Sequence, residues 1–345
     1  MRKILRIVVP LLCLVLLSTA SLFSLPRLAA EHALACKTCH INPNGGGART
    51  EFGNHSVALN ELCLPQTKKL VEKRFHIPSP SQSILVGFDT RYLISEVKQI
   101  FRMQSDVYVT FEPIKEFYYH IRFWEKGINE SYALLYFDQE KYYVKAGRFA
   151  PAYGLRMDDH KTYVRENLGF GSNLYQDGLS LGAEIKGTNF VGEVFNPNGQ
   201  LIGGVHIFRP GYINPISYLA GLSVRVCETV DDSIGIYPDT KGIFGGISYD
   251  RFTLLGEFDL AGKGNDSVLT YASLTSRLEY GFYFITEYNF FDPDKHLKSG
   301  TDEFVRLSVE LYPLPFVLLR PSYTHYTKGI LKGKTDWFLI FHVGY

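Results

Sequence analysis

From about Ser81 to the C-terminus the chain reads as short segments in which apolar and polar positions alternate with period two, separated by turn residues. That period belongs to strands with two unlike faces, not to helices. The last segment is the clearest: Trp337, Leu339, Phe341, Val343 and Tyr345 fall on one face, and Phe338, Ile340, His342 and Gly344 on the other. An alternating final strand that ends on an aromatic, with one face wholly apolar, is the pattern of bacterial outer-membrane barrels, whose apolar face meets lipid.

The connections extend the reading. Tight turns are expected near Lys115, Asp138 to Lys141, Lys186 to Thr188, Tyr249 to Arg251, Glu279 to Gly281 and Tyr312 to Pro315. Longer ones are expected at Arg148 to Asp177, Asn196 to Gly203, Glu228 to Lys241, Ala261 to Asp266, Asp292 to Glu303 and Thr327 to Thr335. Short and long interleave, as they must when alternate connections lie on opposite sides of a membrane. With further connections near Ser95, Gly127 and Pro210, the expectation is an all-β transmembrane antiparallel β-barrel of about 16 strands, with about 14 the nearest alternative. A soluble sandwich or propeller would also alternate. It has no reason to place aromatics such as Tyr345, Trp337, Tyr312 and Tyr283 near strand ends, or to sort its connections by parity.

Composition agrees. Among 345 residues there are 23 Tyr, 25 Phe and 31 Gly, a balance that favours strands and turns over helices. The 36 basic and 35 acidic side chains leave no excess positive charge for nucleic acid.

The N-terminus is of another kind. Arg2, Lys3 and Arg6 precede an apolar run from Ile7 to Leu17, then the small residues Ser18, Thr19 and Ala20, which together form a secretory signal. Cleavage after Ala20, Ala30 or Ala35 is compatible with the sequence, and an uncleaved anchor is the alternative. The expected organisation is a signal over 1–30, a haem-bearing segment over 31–80 and a porin-like barrel over 81–345.

The chemistry is concentrated at Cys36-Lys37-Thr38-Cys39-His40, a C-x-x-C-H motif. Its two thiols have the spacing for covalent attachment to haem vinyl groups, and the adjacent histidine then serves as proximal iron ligand. A dithiol, a disulfide or half of a zinc site are the alternatives, but the chain offers no second C-x-x-C or H-x-x-x-H to complete zinc. One covalent haem c on Cys36, Cys39 and His40 is therefore expected. The segment contains no methionine, which leaves His55 and His76 as local candidates for the distal ligand, with His55 preferred. Gly45, Gly46 and Gly47 read either as backbone passing close over a haem face or as a flexible loop. Ala48 to Leu62 is rich in helix formers, with Thr50 placed to cap them. About 45 residues are too few for a self-sufficient core, so the segment is expected to plug the periplasmic end of the barrel lumen. Of five cysteines, Cys63 and Cys227 remain to pair or to stay free.

A signal, one C-x-x-C-H motif at Cys36 to His40, a short segment with Arg49 and Phe52-Gly53, and then a porin-like barrel resemble the fused outer-membrane monohaem cytochrome-porins, which include the iron-oxidising outer-membrane cytochromes. The Asn42-Pro43-Asn44-Gly45-Gly46-Gly47 stretch departs from the pattern of the iron oxidases. The resemblance implies electron transfer across the outer membrane, with a periplasmic cytochrome or other carrier at one end and an extracellular metal ion or redox donor at the other. Arg148 to Asp177, the third external loop by strand count, resembles in position the loop that folds into the lumen of general porins. Its Asp158-Asp159-His160 could offer oxygen and nitrogen ligands to a metal ion, but a solvated polar loop with charges of both signs is the preferred reading. The competing functions are a diffusion porin whose haem segment is a structural or sensory plug, and a haem enzyme of peroxidase type. The parts do not encode a direction of electron flow.

Overall fold

The computed structural model describes residues 25–74, 83–96, 99–124, 127–157, 162–170, 174–227, 239–262, 264, 266–297 and 300–344. The described residues form sixteen strands running up and down in sequence order, each antiparallel to its chain neighbours. The sheet closes where β1 (Ile84–Ser95) pairs with β16 (Thr335–Gly344), in a register that sets Thr90 opposite Val343. Closure leaves no unpaired strand edge, the condition for a sheet to cross lipid. The expectation of about 16 strands holds, and the 14-strand alternative falls.

Residue-by-residue alternation produces two unlike faces. Along β11 (Phe252–Ala261), Thr253, Leu255, Glu257 and Asp259 are buried towards the lumen, while Phe252, Leu254 and Phe258 are exposed outside. In β16, Phe338, Ile340, His342 and Gly344 face inwards and Trp337 outwards, as the sequence pattern predicts. Tyr345 lies outside the described residues.

Tight turns gather at one end of the barrel and longer connections at the other. Lys186 and Gly187 show why the turns are short: both adopt left-handed φ, 51° and 78°, in a two-residue hairpin of the kind that matches strand twist. One expected connection is displaced. Pro210 lies inside β8 (Ile202–Ile213), and the chain reverses at Asn214 and Pro215 instead. The strand tolerates proline because β7 (Thr188–Phe195) pairs only as far as Phe208, so nothing on that side needs the missing N–H.

Tyr283 and Tyr312 lie near strand ends, as expected, but on the inner face. Both are buried in the lumen, not set in an outer aromatic girdle. Tyr249, Phe252 and Tyr280 supply exposed aromatics at the short-turn end, and the cross-strand pair Tyr323 and Trp337 at the other.

The lumen is occupied. A helix over Pro26–His32 lies against β9 (Ile216–Cys227), β10 (Thr240–Tyr249) and β11. Its Arg27 is buried between Glu310, at 2.7 Å, and the ring of Tyr283. Glu31 pairs with Arg277, and its carbonyl accepts the Ser217 hydroxyl. The third long connection folds inwards, as expected: Leu155, Val164, Leu168 and Phe170 join Ala30, Phe208, Leu219 and Phe244 in one apolar cluster. Cys63 and Cys227 do not pair in a disulfide. Cys63 is buried beside Thr67 at the short-turn end, whereas Cys227 ends β9 at the long-loop end.

Candidate functional site

The C-x-x-C-H motif folds as a single tight turn. Cys36–Thr38 is a 3-10 turn in which the N–H groups of Cys39 and His40 both donate to the Cys36 carbonyl, at 3.2 and 3.0 Å. Cys36, Cys39 and His40 are thereby brought to one cavity wall. Lys37, between them, points away and fixes the turn to the barrel, donating to the Glu140 carbonyl at 2.7 Å and pairing with Glu184 at 2.9 Å.

The glycine run forms a tight reversal rather than a loose loop. Gly45, Gly46 and Gly47 all have left-handed φ, 78°, 71° and 66°, and so reverse the chain sharply. The reversal sets His40 opposite Arg49 and lets the Ile41 N–H donate to the Ala48 carbonyl at 2.9 Å. The tip is wedged against the wall, where a Cβ on Gly46 would stand 2.8 Å from the Arg156 guanidinium.

Thr50 caps the following helix, as expected. Its hydroxyl accepts the Gly53 N–H at 3.1 Å and donates to the Thr38 carbonyl at 2.7 Å. The helix contains a π-helical stretch, Phe52–Ala58, a form often found at functional sites. Gly53 is required there: a Cβ would overlap the Cys39 carbonyl oxygen and stand 3.1 Å from the Cys39 Cα. The motif and the helix are thus in backbone contact.

The cavity holds about 1040 Å³ of space between its lining residues, the solvent at its open side included. Leu28, Leu34, Val57 and Leu62 line it from the N-terminal segment, and Phe208, Leu219 and Phe244 from the barrel wall. Residues 151–156 of the inward loop close another side. The polar groups are few: Arg49, Arg156, Asn44, His32 and His206. Burial pushes the Cys39 thiol up to about 11 and raises Cys36 as well, the reverse of the lowered values of redox dithiols. Both thiols are free. Among the described residues the one group spaced to hold a bare metal ion is Glu31, His32 and Glu61, which takes nothing from the motif.

A covalent haem fits this site on its donor set. Two free thiols and a histidine converge on one apolar chamber, and two guanidinium groups at its lining offer partners for propionates. Of the other expected site residues, His55 belongs to the Phe52–Ala58 helix, but its side chain lies outside the described part of the structure. His76 and Asp158-Asp159-His160 lie outside the described residues. Sequence reasoning missed His206, on β8, which lines the same cavity as His40. Its inward place in an alternating strand was readable, but its nearness to residue 40 follows from barrel closure.

No family model matches this chain, and no curated protein matches it. Solved structures do. OmpT of Vibrio cholerae is 11% identical over 77% of this chain and 99% of that one, with a TM-score of 0.56. Pseudomonas putida OprB, in a high-pH structure, is 10% identical over 81% and 95%, also at 0.56. The fold is that of a porin-like outer-membrane barrel. A mutant of the Rh. blastica porin is similar to the same extent, at 11% identity, 76% and 99% coverage and a TM-score of 0.52.

Proposed function

We propose that this chain is an electron-transfer protein of the bacterial outer membrane, akin to the fused monohaem cytochrome-porins, with one covalent haem c in the lumen at the short-turn, periplasmic end. The observation that carries the reading is the convergence of Cys36, Cys39 and His40 on a single apolar chamber inside the barrel. Bound there, haem supplies a one-electron carrier cycling between ferrous and ferric iron. Cys36 and Cys39 would hold it through their sulfurs, and the His40 imidazole would ligate the iron. Phe208, Leu219, Phe244 and Leu62 exclude water, and Arg49 and Arg156 offset the charge of the propionates. The barrel carries the chamber into the bilayer. A periplasmic cytochrome or similar carrier is the partner at the short-turn end, and an extracellular metal ion or other redox donor or acceptor is the partner at the long-loop end.

The likeness to OmpT, OprB and the Rh. blastica porin supports a second reading, a diffusion porin whose N-terminal segment is a plug. Against open diffusion stands the apolar cluster that joins this segment and the inward loop to the wall. Haem staining of outer-membrane fractions, followed by redox titration with candidate donors, separates the two. Covalent haem that is lost in Cys39→Ala, with electron exchange to a soluble metal or periplasmic cytochrome, is the expected result. Full covalent haem in Cys39→Ala refutes the role of the motif, and an inert haem beside large conductance in planar bilayers favours the porin.

A further inference from the structure

Resting on the haem reading above, we infer that His206 of the barrel wall, and not His55, is the second axial ligand of the iron. His206 lies on the lumen face of β8 and lines the chamber into which Cys36, Cys39 and His40 converge. Its ring is held on three sides. Phe244 stacks on it with centroids 5.1 Å apart and planes within 4°, and Phe208 leans on it at 5.3 Å. Nδ1 lies 2.8 Å from the hydroxyl of the fully buried Ser223, which also accepts the Gly154 N–H at 2.9 Å. With Nδ1–H donated to that hydroxyl, the lone pair of Nε2 is left for the chamber, and among the described residues Nε2 has no hydrogen-bond partner. Histidines that bind metals are arranged in this way, with the non-ligating nitrogen tied to a fixed partner.

Of the other described histidines, His325 is exposed on the strand Val317–Lys328 and His296 is exposed beside Asp266, both away from the chamber. His32 also lines the chamber, but its Nε2 lies 3.2 Å from a Glu61 carboxylate oxygen. His120 is sandwiched between Tyr108 and Tyr132 with Nδ1 on Thr110, and His342 sits 2.5 Å from Asp89. Met157 lines a separate cavity with Leu255 and Tyr271, and Met103 packs beside Leu93, so among the described residues no methionine lines the chamber. A ligand supplied by the wall makes the iron a covalent bridge between the N-terminal segment and the barrel. Gly154, which also lines the chamber, would couple the inward loop to that bridge through Ser223.

The test uses the purified holoprotein and the His206→Ala, His206→Met and His55→Ala variants, read by optical and electron paramagnetic resonance spectra and by redox titration. Wild type and His55→Ala are expected to be six-coordinate and low-spin. His206→Ala should keep its covalent haem, turn high-spin in the ferric state, bind carbon monoxide when reduced, and return to low spin with added imidazole. His206→Met should stay low-spin with a raised potential, as a His/Met pair requires. A merely structural role for His206 would move none of these signatures. Low spin retained in His206→Ala, low spin lost in His55→Ala, or a five-coordinate wild type overturns the assignment while leaving the haem reading intact. Absence of covalent haem from the wild type, seen on staining before any spectrum, overturns both.

Discussion

Gly53→Ala is the sharpest probe of how the motif is held. In an isolated helix the change would stabilise by about 1 kcal/mol, because alanine is the better helix former. Here the new methyl would overlap the Cys39 carbonyl oxygen and lie 3.1 Å from the Cys39 carbonyl carbon and Cα, inside the roughly 3.5–4.0 Å of comfortable contact. All three are backbone atoms, so relief requires the helix to back away from the motif. Doing so strains the Thr50 N–H to Cys39 carbonyl bond, at 3.0 Å, and the Thr50 hydroxyl to Thr38 carbonyl bond, at 2.7 Å. At about 1 kcal/mol for each hydrogen bond and about 1–2 kcal/mol for overpacking, the loss outweighs the helical gain by about 2–3 kcal/mol. Local opening of the segment should rise about 30- to 150-fold at that cost. Hydrogen exchange followed by mass spectrometry reads this directly: peptides spanning 36–62 should exchange faster by that factor, and barrel strands should not change. Gly192→Ala is the control, because a Cβ there meets nothing within 4 Å. Unchanged exchange across 36–62 in Gly53→Ala would refute the reasoning.

Other outcomes follow from the same contacts. Arg27 and Glu31 are anchored in the lumen, so signal cleavage should follow Ala20, not Ala30 or Ala35; the intact mass of the mature protein should begin at Ser21. Arg27→Met leaves the Glu310 carboxylate buried beside Arg320 at 3.9 Å and the Tyr312 hydroxyl at 3.1 Å. It should loosen the Pro26–His32 helix by about 3 kcal/mol, measured by hydrogen exchange, and Glu310→Leu should restore protection. The hydrogen bond to Glu61 raises the pKa of His32 above 6.5, and burial raises that of Glu31 above 4.5. Each group binds its proton more tightly when the segment is seated. That stability is complete below the ordinary values and is lost as pH rises through the seated ones. Exchange of residues 25–35 should therefore accelerate from acid towards alkaline pH, and His32→Gln should flatten the upper part of the profile.

The barrel was legible because period-two alternation survives in any stretch of ten residues, and the parity of the connections needs only their lengths taken in order. Thr50 was legible for the same reason, since a cap depends on residues three positions apart. Pro210 misled because a proline reads as a turn unless one knows that β8 outruns β7 on that side. The face that Tyr283 and Tyr312 take was not legible because the inner face of a filled barrel is itself apolar where the segment packs, so hydrophobicity alone does not tell lipid from plug. The meaning of Gly53 and the neighbourhood of His206 depend on contacts between parts of the chain far apart in sequence. No window on the sequence contains them.

The closure of β1 on β16 sets an order of events in time. The motif precedes the first strand in the chain, yet Cys36 and Cys39 line a cavity inside the barrel that closes only when Thr90 meets Val343. A haem-attaching enzyme cannot reach them through a finished wall. On the proposed reading, maturation of the cofactor must come before insertion, and the barrel-folding machinery would receive a substrate whose first segment is already loaded. A chain that misses its haem would then have no second opportunity after the seam has closed.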